Sequence, residues 1–148
     1  MNSRPAARGT TIDGVIVAGV GWGRDLGYPT ANLDVHDHAA IPDDGVYFGW
    51  FTLHDGSAGS GPALVGWPAL LSIGSNPTFA GTARTVEAHL LDIDMDLYGR
   101  AARVELDHRM RPQRRFETVQ ALIAYMDDIA AEARAFLADS GWTAGDTR

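Results

Sequence analysis

The rhythm of apolar positions changes once along this chain. Up to residue 108 they fall in short runs broken by glycine, proline and Asp-Gly pairs; beyond Thr118 they recur every three or four residues. The runs at 11–17, 46–53, 63–73, 85–92 and 102–108 are rich in β-branched and aromatic side chains and predict five strands. Pro68 is a candidate break in the third run. Residues 54–62 hold three glycines, two serines and an Asp-Gly pair, which predicts a hairpin connection. Residues 34–44, with Pro42 and the Asp43-Asp44-Gly45 turn signal, and residues 74–84, with Asn76-Pro77-Thr78, read as loops.

The later segment has the other period. Val119, Leu122, Ile123, Met126, Ala130, Ala133 and Leu137 form one apolar stripe of a helix, with Thr118 as N-cap and Ser140-Gly141 as stop. Many short strands followed by one striped helix predict a mainly β domain, a barrel or sandwich with the helix packed outside. The expected boundaries are a lead-in at 1–10, one domain at 11–140 and a frayed tail at 141–148.

Composition narrows the function classes. A chain of 148 residues that is 45% apolar and 21% charged can bury one ordinary core. The net charge of −7 argues against nucleic acid or an anionic membrane as partner and leaves small molecules. The absence of cysteine excludes disulfides, thiolate metal sites and a cysteine nucleophile, and fits the cytoplasm. No apolar run approaches the roughly 20 residues of a membrane span. Residues 1–9 lack the apolar centre of a signal peptide. A cytoplasmic monomer acting on small molecules is expected.

Candidate chemistry starts at the glycine-rich stretch that follows the first strand. Gly19, Gly21, Gly23 and Gly27 allow backbone N–H groups to approach an anion, and Arg24 lies among them. The loop lacks the Gly-Lys-Ser/Thr ending of a Walker motif, and Gly27 falls one residue late for a dinucleotide fingerprint. On glycine content alone it is a mobile turn. Its exit, Pro29-Thr30-Ala31-Asn32, adds a hydroxyl and an amide oxygen two residues apart, on one face of an extended backbone. Such neutral oxygens suit magnesium bound to a nucleotide, although on these residues alone a turn held by side chain to backbone bonds is the narrowly better account.

Glu87 alternates with Val86, Ala88 and Leu90, sharing a face with His89 and Leu91. If that face is the inward one, the carboxylate is partly desolvated and suited to act as a base. The simpler alternative has Glu87 and His89 in solvent, paired with each other. His36 and His38 have no third spaced ligand, and Asp92, Asp94 and Asp96 lack the glycine and terminal glutamate of a calcium loop. Arg109, Arg111, Arg114 and Arg115 form either a solvated linker or a flap in which Phe116 covers an aromatic ring. Gly59-Ser60-Gly61 sits in a hairpin, which rules out a nucleophile elbow.

Four ordered segments resemble the ATP-dependent riboflavin kinase family. They are residues 14–32 ending in Gly-Tyr-Pro-Thr-Ala-Asn, Asp44-Gly45-Val46-Tyr47, Ser72-Ile73-Gly74-Ser75-Asn76-Pro77-Thr78-Phe79, and Val86-Glu87-Ala88-His89-Leu90-Leu91-Asp92 continuing to Asp96-Leu97-Tyr98-Gly99. Arg111-Pro112 and Phe116 fit the segment before the helix, so the resemblance runs from about Ile12 to Phe136. It implies a six-stranded antiparallel Greek-key β-barrel with a long C-terminal helix. It also implies phosphorylation of riboflavin by ATP to give FMN and ADP.

Residue by residue, the resemblance gives Thr30 and Asn32 to magnesium and Gly19, Gly21, Gly23, Arg24, Gly27 and Thr30 to the nucleotide. Leu90, Asp92 and Tyr98 match positions flanking the nucleotide, Glu87 the general base, and Arg111 and Phe116 a flap that closes on the flavin. Asp127 and Asp128 fall out of register with the family's helix aspartate. Nothing in the chain corresponds to the adenylyltransferase domain often fused to this one, so no FAD synthesis by this chain is expected. A kinase of another flavin-like alcohol, such as a deazaflavin, and a non-enzymatic flavin-binding module are the competing readings.

Overall fold

Strand alternation assigns each wall of the fold its two faces. The computed structural model describes residues 9–17, 27–54, 64–78 and 81–143. Its strands are β1 (Thr10–Val17), β2 (Ala31–Val35), β3 (Gly45–Leu53), β4 (Trp67–Thr78), β5 (Gly81–Leu90) and β6 (Ala101–Arg111), followed by α1 (Val119–Ser140). All pairings are antiparallel, and the strands close into a barrel in the order β1-β2-β5-β4-β3-β6. β3, β4 and β5 are sequential neighbours and β6 returns beside β3, which is a Greek key.

The interior takes alternate residues from each strand: Ile12 and Ile16, Leu33 and Val35, Tyr47 and Phe51, Leu71 and Ile73, Val86 and Ala88, Val104 and Leu106. Gly49 also points inward. A Cβ there would lie 2.4 Å from the Glu105 carbonyl oxygen and 2.7 Å from Leu71 Cδ1, so closing β3 on β6 depends on the missing side chain. A second apolar layer lies outside the barrel. Val46, Phe48, Trp50, Leu70 and Leu91 pack there against Ile129, Ala130, Ala133 and Leu137 of α1. β3 is therefore covered on both faces, which explains why its sequence is almost continuously apolar rather than alternating. The helix begins where Thr118 Oγ1 accepts from Ala121 N (3.1 Å) and ends at Gly141, whose φ of 77° is left-handed.

Several sequence expectations shift. β2 buries only Leu33 and Val35, with Ala31 partly buried beside them, too few large apolar residues to stand out between polar neighbours. Pro68 does not break β4; it sits one residue into the strand, opposite Trp50, and its carbonyl accepts from Leu91 N. Residues 74–78 and 81–84 of the expected 74–84 loop are ladder instead, from Gly74 opposite Thr85 to Thr78 opposite Gly81. On α1, Val119 is half exposed whereas Ile129, outside the expected stripe, is fully buried. Trp142 packs edge to face on Trp67 (5.4 Å between centroids), so the packed unit reaches beyond 140. The expected lead-in up to residue 8, the hairpin tip at 55–63 and the tail from 144 lie outside the described residues.

Candidate functional site

Asn32 on β2 pairs with Glu87 on β5, and Glu87 pairs on its other side with Ser72 on β4. Leu33, Val86, Ala88, Leu71 and Ile73 occupy the interior, so Asn32, Glu87 and Ser72 form one row across the outer wall. The inward orientation considered for Glu87 is thus corrected. Val86, Ala88 and Leu90 are the better core residues, and an unpaired carboxylate among them would be costly to bury. Thr30, one residue before β2, donates from Oγ1 to Glu87 Oε1 at 3.1 Å. Hydroxyl, amide and carboxylate are brought together, on the outside of the barrel near its rim.

Beside this row a cleft of about 290 Å³ opens at the barrel mouth. Thr30, Ala31, Leu90, Asp94, Met95 and Tyr98 are among its lining residues, so Thr30 belongs to both cleft and row. Tyr98 is 67% exposed at the cleft edge. Asp92 is placed differently. Its backbone is left-handed (φ 63°), and its carboxylate pairs with Arg134 of α1 at 2.8 Å instead of lining the cleft. Asp96 stabilises a local turn by accepting from Tyr98 N.

The connection from β6 to α1 lies against the helix. Arg111 makes a two-pronged pair with Glu132 (3.1 and 3.0 Å). Phe116 packs on Tyr125 with 5.0 Å between centroids, and Arg114 covers both rings. Arg111 and Phe116 therefore meet helix side chains, not the cleft. Gln113 donates to Ser72 Oγ, which carries this connection across β4 to the neighbour of Glu87. Gly19, Gly21, Gly23 and Arg24 lie outside the described residues. Gly27 has φ +87° with nothing within 4 Å of an added Cβ, so it serves backbone shape and not space.

Three further residues support the site although the sequence assigned them no role in it. Tyr28 donates its hydroxyl to Asp127 of α1 and stands edge-on to His89 (5.1 Å). His89 Nδ1 lies 2.8 Å from the Pro29 carbonyl oxygen, so His89 does not pair with Glu87. Burial first, then the bond to Asp127, pushes the Tyr28 phenol up to about 12; burial holds His89 below the usual histidine range. Tyr28 was visible only as part of the Gly-Tyr-Pro-Thr motif, and Asp127 only as an aspartate out of register. No sequence signal joins residues 99 positions apart. Among the described residues no group of three or more His, Asp or Glu forms a metal-binding set, and His36 and His38 are exposed.

Fold and site together define a closed Greek-key barrel with an external helix and a polar row beside a mouth cleft. The Flavokinase (riboflavin kinase) family model matches residues 6–137, and the chain belongs to that family. The bifunctional riboflavin kinase/FMN adenylyltransferase of Escherichia coli (strain K12) is 36% identical over 84% of this chain and 37% of its own length. The riboflavin kinase of Pyricularia oryzae is 30% identical over 88% of this chain and 72% of its own length. Among solved structures, one described as a macrolide-efflux protein from Streptococcus pneumoniae matches with a TM-score of 0.74, 29% identity, and coverage of 85% of this chain and 38% of that one. Riboflavin kinase from Trypanosoma brucei shares the fold with a TM-score of 0.65, at 23% identity over 89% of this chain and 82% of that one. The chain thus spans little more than a third of the bifunctional relatives it matches. No described helix is long and apolar enough to cross a membrane.

Proposed function

We propose that the protein transfers the γ-phosphoryl group of ATP to the ribityl 5′-hydroxyl of riboflavin, giving FMN and ADP. The observation that carries this reading is the meeting of Thr30, Asn32 and Glu87, with Thr30 Oγ1 3.1 Å from Glu87 Oε1 and Asn32 in register with Glu87. A primary alcohol is a weak nucleophile, so Glu87 accepts its proton as the oxygen attacks phosphorus and the bond to the ADP oxygen breaks. The donor set fits magnesium, which takes a few hard oxygens from protein and the rest from phosphates and water. Thr30 Oγ1 and the Asn32 side-chain oxygen would hold it, and when bound it neutralises charge on the phosphates. The mouth cleft next to Thr30 receives the nucleotide, with Leu90 and Tyr98 along its wall. The same reading makes the protein a cytoplasmic monomer, in keeping with its net charge of −7 and lack of cysteine.

The test is direct. The purified protein is incubated with ATP and magnesium plus either riboflavin or a deazaflavin, and products are separated chromatographically. FMN from riboflavin is expected. Phosphorylation of the deazaflavin alone would move the assignment to another flavin-like alcohol. Flavin binding with no product from either would leave a binding module.

A further inference from the structure

Thr30 stands just outside the ladder that should locate it. Pairing of β2 with β5 begins at Ala31, opposite Ala88. Pro29, immediately before Thr30, has no N–H to contribute. The corner is held by a side chain instead. His89 Nδ1 is 2.8 Å from the Pro29 carbonyl oxygen. A carbonyl only accepts, so Nδ1 carries the hydrogen and the imidazole is the donor. The ring is 8% exposed and meets Tyr28 edge-on, while Tyr28 is tied by its hydroxyl to Asp127 on α1. Supports from β5 and α1 thus converge on residues 28 and 29, next to Thr30.

We propose that His89 is a positioning residue for phosphoryl transfer: through the Pro29 carbonyl it sets where Thr30 stands relative to Glu87, with the Tyr28–Asp127 bond as its buttress. The proposal rests on the kinase reading above. β5 then carries two functions two residues apart. Glu87 meets the acceptor hydroxyl, and His89, without touching substrate, locates the residue that meets the nucleotide. A histidine that merely filled space would affect folding and both substrates alike. A positioning histidine acts on the nucleotide side.

The experiment compares His89→Phe, which keeps a ring against Tyr28 but has no donor, with His89→Asn, whose amide N–H replaces Nδ1–H. Calorimetric titration with Mg-ADP and steady-state kinetics are measured on each full-length variant. His89→Phe is expected to weaken Mg-ADP binding and to reduce kcat/KM for ATP by about tenfold, the loss of one well-made hydrogen bond. The KM for riboflavin should stay within about twofold, and His89→Asn should recover most of the loss. Tyr28→Phe, losing only the hydroxyl to Asp127, should weaken Mg-ADP binding by a smaller factor and keeps the test open should His89→Phe not fold. Mg-ADP affinity within twofold of wild type in His89→Phe, or in Tyr28→Phe if the former is unfolded, would overturn the proposal. So would equal loss for both substrates with no rescue by His89→Asn. A wild-type protein that makes no FMN would instead sink the kinase reading and the proposal with it.

Discussion

Asn32 and Glu87 face each other on adjacent antiparallel strands, and Thr30 reaches the same carboxylate from one residue outside the ladder. The arrangement separates two tasks that a single acidic cluster would confuse. In the proposed reaction neutral oxygens would face the nucleotide, and one carboxylate would face the alcohol. Glu87→Gln keeps the shape and loses the proton acceptor. Turnover should fall by roughly 10²–10⁴-fold while KM for both substrates changes little. Near-normal kcat in that variant would remove Glu87 from the role of base.

Asn32 is half-buried on the outer wall and contributes nothing to the barrel interior. Asn32→Ala should therefore leave the melting temperature close to wild type. Mg-ADP binding, followed by titration calorimetry, should weaken about tenfold or more. An unchanged affinity would mean that the amide does not take part in holding the metal-bound nucleotide.

Gly49 and Gly74 offer a paired test of the fold. A Cβ on Gly49 would strike the Glu105 backbone and Leu71, whereas one on Gly74 would meet only the end of the Gln113 side chain at 3.4 Å. Gly49→Ala should cost roughly 1–3 kcal/mol or more by overpacking. Gly74→Ala should be tolerated, because the side chain it meets can swing away. Denaturant midpoints of the two variants settle the comparison, and equal midpoints would contradict the interior position of Gly49.

Acid sensitivity should concentrate at Asp13. The two-pronged hydrogen bond from Arg103 (2.8 and 3.1 Å), aided by the Arg103 charge and by His54, holds the Asp13 carboxyl below its usual value of 3.8 against a burial effect that raises it. A carboxyl lowered on folding adds stability that is present above the unfolded value and is lost as pH falls through the folded one. The melting temperature of Asp13→Asn should therefore lie below wild type near neutrality, with the gap closing below about pH 4. A gap that did not narrow at all as pH fell below 4 would show that the pair stabilises through packing and not through charge.

The helix was legible almost in full, because a period of three to four residues between Thr118 and Gly141 has no other reading and both caps are chemically distinctive. Five of the six strands were legible, with shifted ends. β3 stood out because both its faces are covered. β5 showed its alternation, but which parity points inward depends on neighbours several strands away. β2 was hidden because two buried residues in five do not make a run. The chemistry followed the same division. Thr30, Asn32 and Glu87 could be picked out by residue type and resemblance, and their meeting follows from register. Arg111 and Phe116 are joined to Glu132 and Tyr125 of α1, partners that no local pattern in the sequence indicates. The Tyr28–Asp127 contact joins a loop to a helix 99 residues away, and no local pattern encodes that.

β5 has one further consequence. Its even and odd positions serve different ends, Val86 and Ala88 filling the barrel while Glu87 and His89 serve the wall outside. Exchanging one aliphatic for another of similar volume inside the barrel should thus be a mild event for the reaction. Loss or gain of a single codon between residues 83 and 86 would not be mild. It would turn the strand over, sending a carboxylate into an oily interior and an aliphatic side chain to the place that Glu87, the proposed base, now holds. The strand should therefore tolerate a change of letter at its inward positions far better than a change in its length.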